Sequence, residues 1–147
     1  MIEEKLKDMG FTLPEPSKPV GSYLPVVRSG KLIFLSGVIS GKKGKVGRDL
    51  DIDEANREAE KCALTLLSNL KKEIGSLDKV IRIVKLEGFV NSAEGFTDQP
   101  KVINGASDLL VNLFGDKGKH ARIAVGVSEL PLDSCVEISM IVEVEND

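Results

Sequence analysis

Between residues 53 and 74 apolar side chains recur at Ala55, Ala59, Cys62, Ala63, Leu66, Leu67, Leu70 and Ile74. Steps of three and four place all of them on one side of a helix, and a helix with a single apolar stripe must bury it against another layer. The ends are marked as well. Asp51 and Glu54 have the spacing of a capping box, and Gly75 stands where a left-handed cap closes a helix. A second stripe, Val102, Ile103, Ala106, Leu109, Leu110 and Leu113, predicts a helix over 100–114, with Pro100 in its first turn and Gly115 just past its end. Gly105 lies inside that helix, where it costs about 1 kcal/mol relative to alanine, so it marks a place of close backbone packing.

The remaining apolar segments read as strands at 24–28, 31–38, 79–90, 121–128 and 135–144, the first two joined through Ser29-Gly30. Two one-striped helices cover one face of such a mixed sheet, which gives an α+β sandwich of two layers. A short helix over 2–9, stopped by Gly10, and a proline-rich extended arm over 13–19 precede it. The chain has the length of a single domain, 1–147, with 1–18 as helix and arm. The loop 41–47 is rich in glycine and lysine but lacks the Gly-Lys-Ser/Thr ending of a phosphate loop, and is expected to be a solvated connection.

Charge and composition exclude several classes. A net charge of −3 argues against a nucleic-acid partner. Cys62 and Cys135 have neither metal nor redox spacing and read as free thiols of a reducing compartment. The first residues lack the apolar centre of a signal peptide, and no apolar run approaches the roughly 20 residues that span a bilayer. The expectation is a cytoplasmic protein with no membrane association, no metal and no cofactor.

The last two strands carry the most information. Ile123, Val125 and Val127 share one face of the first; Val136, Ile138, Met140, Val142 and Val144 share one face of the second. Read as one hairpin turning through 130–133, both faces should pack on the helices. The opposite faces, with Arg122, Ala124 and Gly126 beside Glu137, Ser139 and Ile141, mix small residues with two opposite charges and suit contact between subunits about a symmetry axis. The register of the turn leaves open whether Arg122 and Glu137 meet in one chain or across an interface.

Residues 120–140, HARIAVGVSELPLDSCVEISM, resemble the signature of the Rid/YjgF family of reactive-intermediate deaminases, also described as endoribonuclease L-PSP. Gly21-Ser22-Tyr23-Leu24-Pro25, Phe34-Leu35-Ser36-Gly37 and Val102-Ile103-Asn104-Gly105 fit in the same order, so the similarity runs from about Pro19 to Val144. It implies a chorismate-mutase-like fold and a homotrimer with a central barrel and inter-subunit clefts. It also implies hydrolysis of 2-imino acids or their enamine tautomers to 2-oxo acids and ammonia. By the same resemblance Arg122 binds the substrate carboxylate, Glu137 positions or deprotonates water, and Tyr23, Ser36, Gly37 and Asn104 line the cleft. The chemistry agrees: a guanidinium offers a planar fork for a carboxylate, and a general base contributes about 10²–10⁴-fold. Ala124 stands where many active members carry cysteine, which alters the pocket more than the reaction class. Competing readings are structural ion pairing for Arg122, ion pairing or a trimer contact for Glu137, and hydrogen-bonding structural roles for Ser36 and Asn104. Tyr23 could serve as a plug under the arm. His120, the only histidine, lies in no catalytic pattern. A non-catalytic trimer binding small carboxylates and an endoribonuclease are the alternative functions.

Overall fold

The computed structural model describes residues 1–19 and 21–146. Helix α1 (Ile2–Asp8) is followed by the arm, then by strands β1 (Val26–Ser29) and β2 (Leu32–Ile39), helix α2 (Ile52–Ile74), strand β3 (Val80–Asn91), helix α3 (Gln99–Phe114) and strands β4 (Ala121–Val127) and β5 (Val136–Val144). The capping box at Asp51 and Glu54 is formed in both directions, and Pro100 lies in the first turn of α3. The five strands make one mixed sheet in the order β1-β2-β5-β3-β4. Both long helices lie on one face, as the two-layer α+β reading requires.

The final two strands do not form a hairpin. β3 lies between them, pairing antiparallel with β5 on one side and parallel with β4 on the other. The segment joining β4 to β5 therefore crosses a strand instead of turning back, and Leu132 and Asp133 take positive φ within it.

On β5 the alternation is as the pattern predicts: Val136, Ile138, Met140, Val142 and Val144 are buried beneath the helices. On β4 the faces are reversed. Arg122, Ala124 and Gly126 pair with Leu86, Gly88 and Val90, which face the helices, whereas Ile123 and Val125 stand 38% and 41% exposed on the open face. The cause is steric. A Cβ added to Gly126 would come within 2.6 Å of the Gln99 amide, and one added to Gly88 within 2.5 Å of Ile103. Arg122 reaches up to α3, positions 88 and 126 leave no room for a side chain without displacing Ile103 or Gln99, and Ile123 and Val125 turn outward.

Helices α2 and α3 meet at Gly105, where an added Cβ would lie 2.0 Å from the Asn56 carbonyl oxygen. The close approach expected of this glycine is thus a contact of backbone with backbone. The arm crosses α2, with the Ser17 amide donating to Asn69 at 2.7 Å, the Asn69 amide donating back to the Ser17 hydroxyl at 3.1 Å, and the Ser68 hydroxyl donating to the Pro14 carbonyl. The loop 41–47 is not merely solvated: Val46 is fully buried and Lys45 donates to the Asn91 side chain at 2.9 Å. Cys62 and Cys135 are free and buried, and burial pushes both thiols upward.

Candidate functional site

The candidate residues fall into two groups at opposite sides of the sheet. The first is built on the edge strand β4 and on α3. Arg122 reaches toward α3, where its Nη1 donates to Asn104 Oδ1 at 2.8 Å and to Ser107 Oγ at 3.1 Å. Asn104 and Ser107 are three apart on one helix and so present neighbouring side chains. Both hydrogens of Nη1 are thereby used. Nε and Nη2 have no hydrogen-bond partner among the described residues, which leaves one two-pronged edge of the guanidinium free. Ala124 follows on the same face of β4.

The second group surrounds the start of β1 and the middle of β2. Here the register of β2 against β5 slips between Leu35 and Val38, so Ser36 and Gly37 form a bulge. The bulge, the arm and α2 enclose a cavity of about 350 Å³, lined by Tyr23, Ser36 and Gly37 together with Ser17, Thr65 and Asn69. Ser36 donates its hydroxyl hydrogen to the Leu24 carbonyl at 2.6 Å and so ties the segment before β1 to the bulge. Glu137 lies against the bulge from β5, and a Cβ at position 37 would sit 2.2 Å from its Oε2. Glycine is therefore needed at 37 to admit this carboxylate. Burial raises the Glu137 carboxyl above its ordinary value, which makes it a better proton acceptor than an exposed glutamate.

Arg122 and Glu137 thus occupy opposite faces of the sheet, against the expectation that they share one. Arg122 pairs with Leu86 on the helix side, while Glu137 pairs with Phe89 and Ile39 on the other. Asn104 accompanies Arg122; Gly37 lies against Glu137, and Tyr23 and Ser36 line the cavity beside that glycine. Within one chain the two groups do not meet.

Over residues 3–144 the chain matches the family described as "YjgF/chorismate_mutase-like, putative endoribonuclease". The chain is a member of the YjgF/Rid family. Among YjgF/Rid relatives, Protein TCP17 of Trypanosoma cruzi is 39% identical, the alignment covering 99% of this chain and 95% of that protein. A 2-iminobutanoate/2-iminopropanoate deaminase of Dermatophagoides farinae is 28% identical over 92% of this chain and 95% of its own length. The crystal structure of Atu1372 from Agrobacterium tumefaciens superposes with a TM-score of 0.90 at 45% identity, covering 98% of this chain and 92% of that one.

For this YjgF/Rid chain, sequence reasoning missed Ser107, Ser17, Thr65 and Asn69. Ser107 was within reach, because it lies one helical turn beyond Asn104 on the face that meets Arg122. The arm residues gave no signal, since nothing in a proline-rich stretch says which helix it will cross. Among the described residues no cluster of three or more histidine, cysteine or acidic side chains could hold a metal ion, and no helix is long and apolar enough to cross a membrane.

Proposed function

We propose that the protein is a deaminase of 2-imino acids or their enamine tautomers, working as a homotrimer whose sites form between subunits. The observation that carries this reading is Arg122, held through one nitrogen while its Nε–Nη2 edge stays unpaired. A carboxylate fits that edge through two parallel hydrogen bonds.

The open face of the sheet supports the trimer. Val27, Phe34, Ile123 and Val125 are each between 38% and 48% exposed there, an apolar surface of the kind that subunits cover. Joining the β4 edge of one subunit to the bulge of the next brings Arg122 and Asn104 to Glu137, Tyr23, Ser36 and Gly37. In such a cleft Glu137 takes a proton from water as the oxygen bonds to the imine carbon. With the imine protonated, this gives a neutral amino alcohol; Glu137 passes its proton to the nitrogen, then takes the hydroxyl proton as the C–N bond breaks, and ammonia and a 2-oxo acid leave. These proton transfers are within the scope of one carboxylate whose burial has raised its basicity. Ribonuclease chemistry finds less support, because the one histidine has both ring nitrogens engaged inside the fold.

The test generates 2-iminobutanoate with a dehydratase and follows its decay with and without the protein. Wild type is expected to exceed the protein-free rate and Arg122→Ala to fall back to it; no acceleration by wild type for any imino acid ends the proposal. The composite site has its own test. When Arg122→Ala and Glu137→Gln chains are unfolded and refolded together, roughly a quarter of the clefts regain both residues if each cleft draws on two subunits of a closed ring. Recovery of about that share of activity is expected, and none if both residues must come from one chain.

A further inference from the structure

His120 takes no part in the site outlined so far, yet it is joined to Arg122 through one atom. Its Nδ1 lies 2.6 Å from the Gly118 carbonyl oxygen, which can only accept, so Nδ1 carries the hydrogen. In the neutral ring Nε2 is then an acceptor, and the Ser107 hydroxyl, 2.9 Å away, donates to it. With its hydrogen committed, Ser107 Oγ turns its lone pairs to Arg122 Nη1 at 3.1 Å. The far end is fixed by packing: an added Cβ on Gly118 would lie 2.2 Å from the Leu110 carbonyl oxygen of α3, so the loop holding the Gly118 carbonyl is pressed onto the helix. Ser107 is itself buried.

We propose that His120 and Ser107 are positioning residues for Arg122. His120 orients Ser107 Oγ, which joins Asn104 Oδ1 as a second acceptor for one guanidinium nitrogen and so keeps the Nε–Nη2 edge turned toward the substrate carboxylate. This rests on the reading of Arg122 as the carboxylate anchor. Without His120, the Ser107 hydroxyl has a competing acceptor one turn back, the carbonyl of Ile103, and adopts the rotamer that reaches it. Arg122 then loses one of its two fixed acceptors, and the guanidinium can rotate about its long side chain. The loss is one of binding rather than of proton transfer, because neither His120 nor Ser107 is placed at the reacting carbon.

Two measurements test this, one of which needs no turnover. His120 is the chain's only histidine, so ¹⁵N spectra of the ring report it alone. A neutral ring protonated at Nδ1 is expected, with the Nε2 signal shifting in Ser107→Ala; a ring protonated at Nε2 overturns the relay. The second measures 2-oxobutanoate affinity by calorimetry and the KM and kcat for imine decay. Ser107→Ala and His120→Leu should each weaken affinity and raise KM about 10-fold, the usual scale for a hydrogen bond to a charged group, with kcat within about twofold. His120→Gln, whose amide oxygen can take the Ser107 hydrogen, should recover most of the loss. Because His120 acts through Ser107, the double variant should be no worse than Ser107→Ala. Unchanged affinity in both single variants, a fall confined to kcat, or multiplying effects in the double variant each overturn the proposal. If wild type binds 2-oxobutanoate with this pattern but turns over no imine, the deaminase reading falls and the relay stands. If it binds no carboxylate at all, the relay has nothing to position and falls.

Discussion

Strands β4 and β5 have nearly the same grammar, alternating large aliphatic residues with small or polar ones, and yet they face opposite ways. β5 is hydrogen-bonded on both sides and lies across the middle of the sheet, so its aliphatic row has one place to go, beneath the helices. β4 is the edge. There α3 descends so close that only Ala124 and Gly126 fit beneath it with Arg122, and Ile123 and Val125 turn to the open face. Aliphatic residues outward on an edge strand signal that something else will cover them. A charged residue inward at the same edge signals that the helix layer has a polar end.

The contrast can be broken by substitution. Arg122→Ala should lower kcat/KM about 10³-fold, the scale of two charge-assisted hydrogen bonds lost from a carboxylate, while the fold survives because Asn104 and Ser107 can turn to water. Glu137→Gln should lower kcat by about 10²-fold, as removal of a general base does. Its stability should move the other way. Burial raises the folded-state pKa of Glu137 above the ordinary 4.5, so the folded chain holds this proton more tightly than the unfolded one. Wild-type stability from this group is then complete at acid pH and declines as pH rises through the raised value. Melting curves should show Glu137→Gln level with wild type near pH 4 and more stable at pH 7. A variant less stable than wild type at pH 7 would mean that the carboxylate is paired in the assembly.

Gly126→Val separates the two readings of β4 by stability alone. With residue 126 under α3, valine displaces Gln99 and Ser92 and should cost about 1–3 kcal/mol in urea unfolding. On the open face it would cost nothing and improve strand propensity. Val125→Lys should change subunit stability least, by about 0.5 kcal/mol or less, since an exposed site is altered. It should nevertheless abolish the proposed trimer in light scattering, because in that assembly the lysine would be buried against a neighbour. A Val125→Lys protein that stays trimeric would put the interface elsewhere.

Much of the fold was legible in the sequence. Both long helices end within a residue of their predicted limits, because caps and stripes are local and the capping residues act on their own backbone. Gly105 was readable as close packing because glycine inside a helix has few other reasons to be there. The pairing of β4 was not readable, since parallel pairing with β3 leaves no turn signal and 130–133 looks like a hairpin loop. Its facing was misread because a period of two gives the alternation but not the phase, and the larger residues were assigned to the core. The candidate site was legible as a set of residues and not as a geometry. Asn104 and Arg122 meet through tertiary packing of α3 on β4, and Gly37 meets Glu137 through a bulge that alternation conceals.

The place of β5 has a consequence for how the chain is made. It is the strand that joins β2 to β3 and follows both in the sequence, so until residues 136–144 are available the sheet is in two parts, held to each other through the packing of α2 on α3. The β1–β2 hairpin and the β3–α3–β4 unit each expose a strand edge that β5 fills. A chain stalled or cut shortly before Val136 therefore presents two open edges to any neighbouring strand.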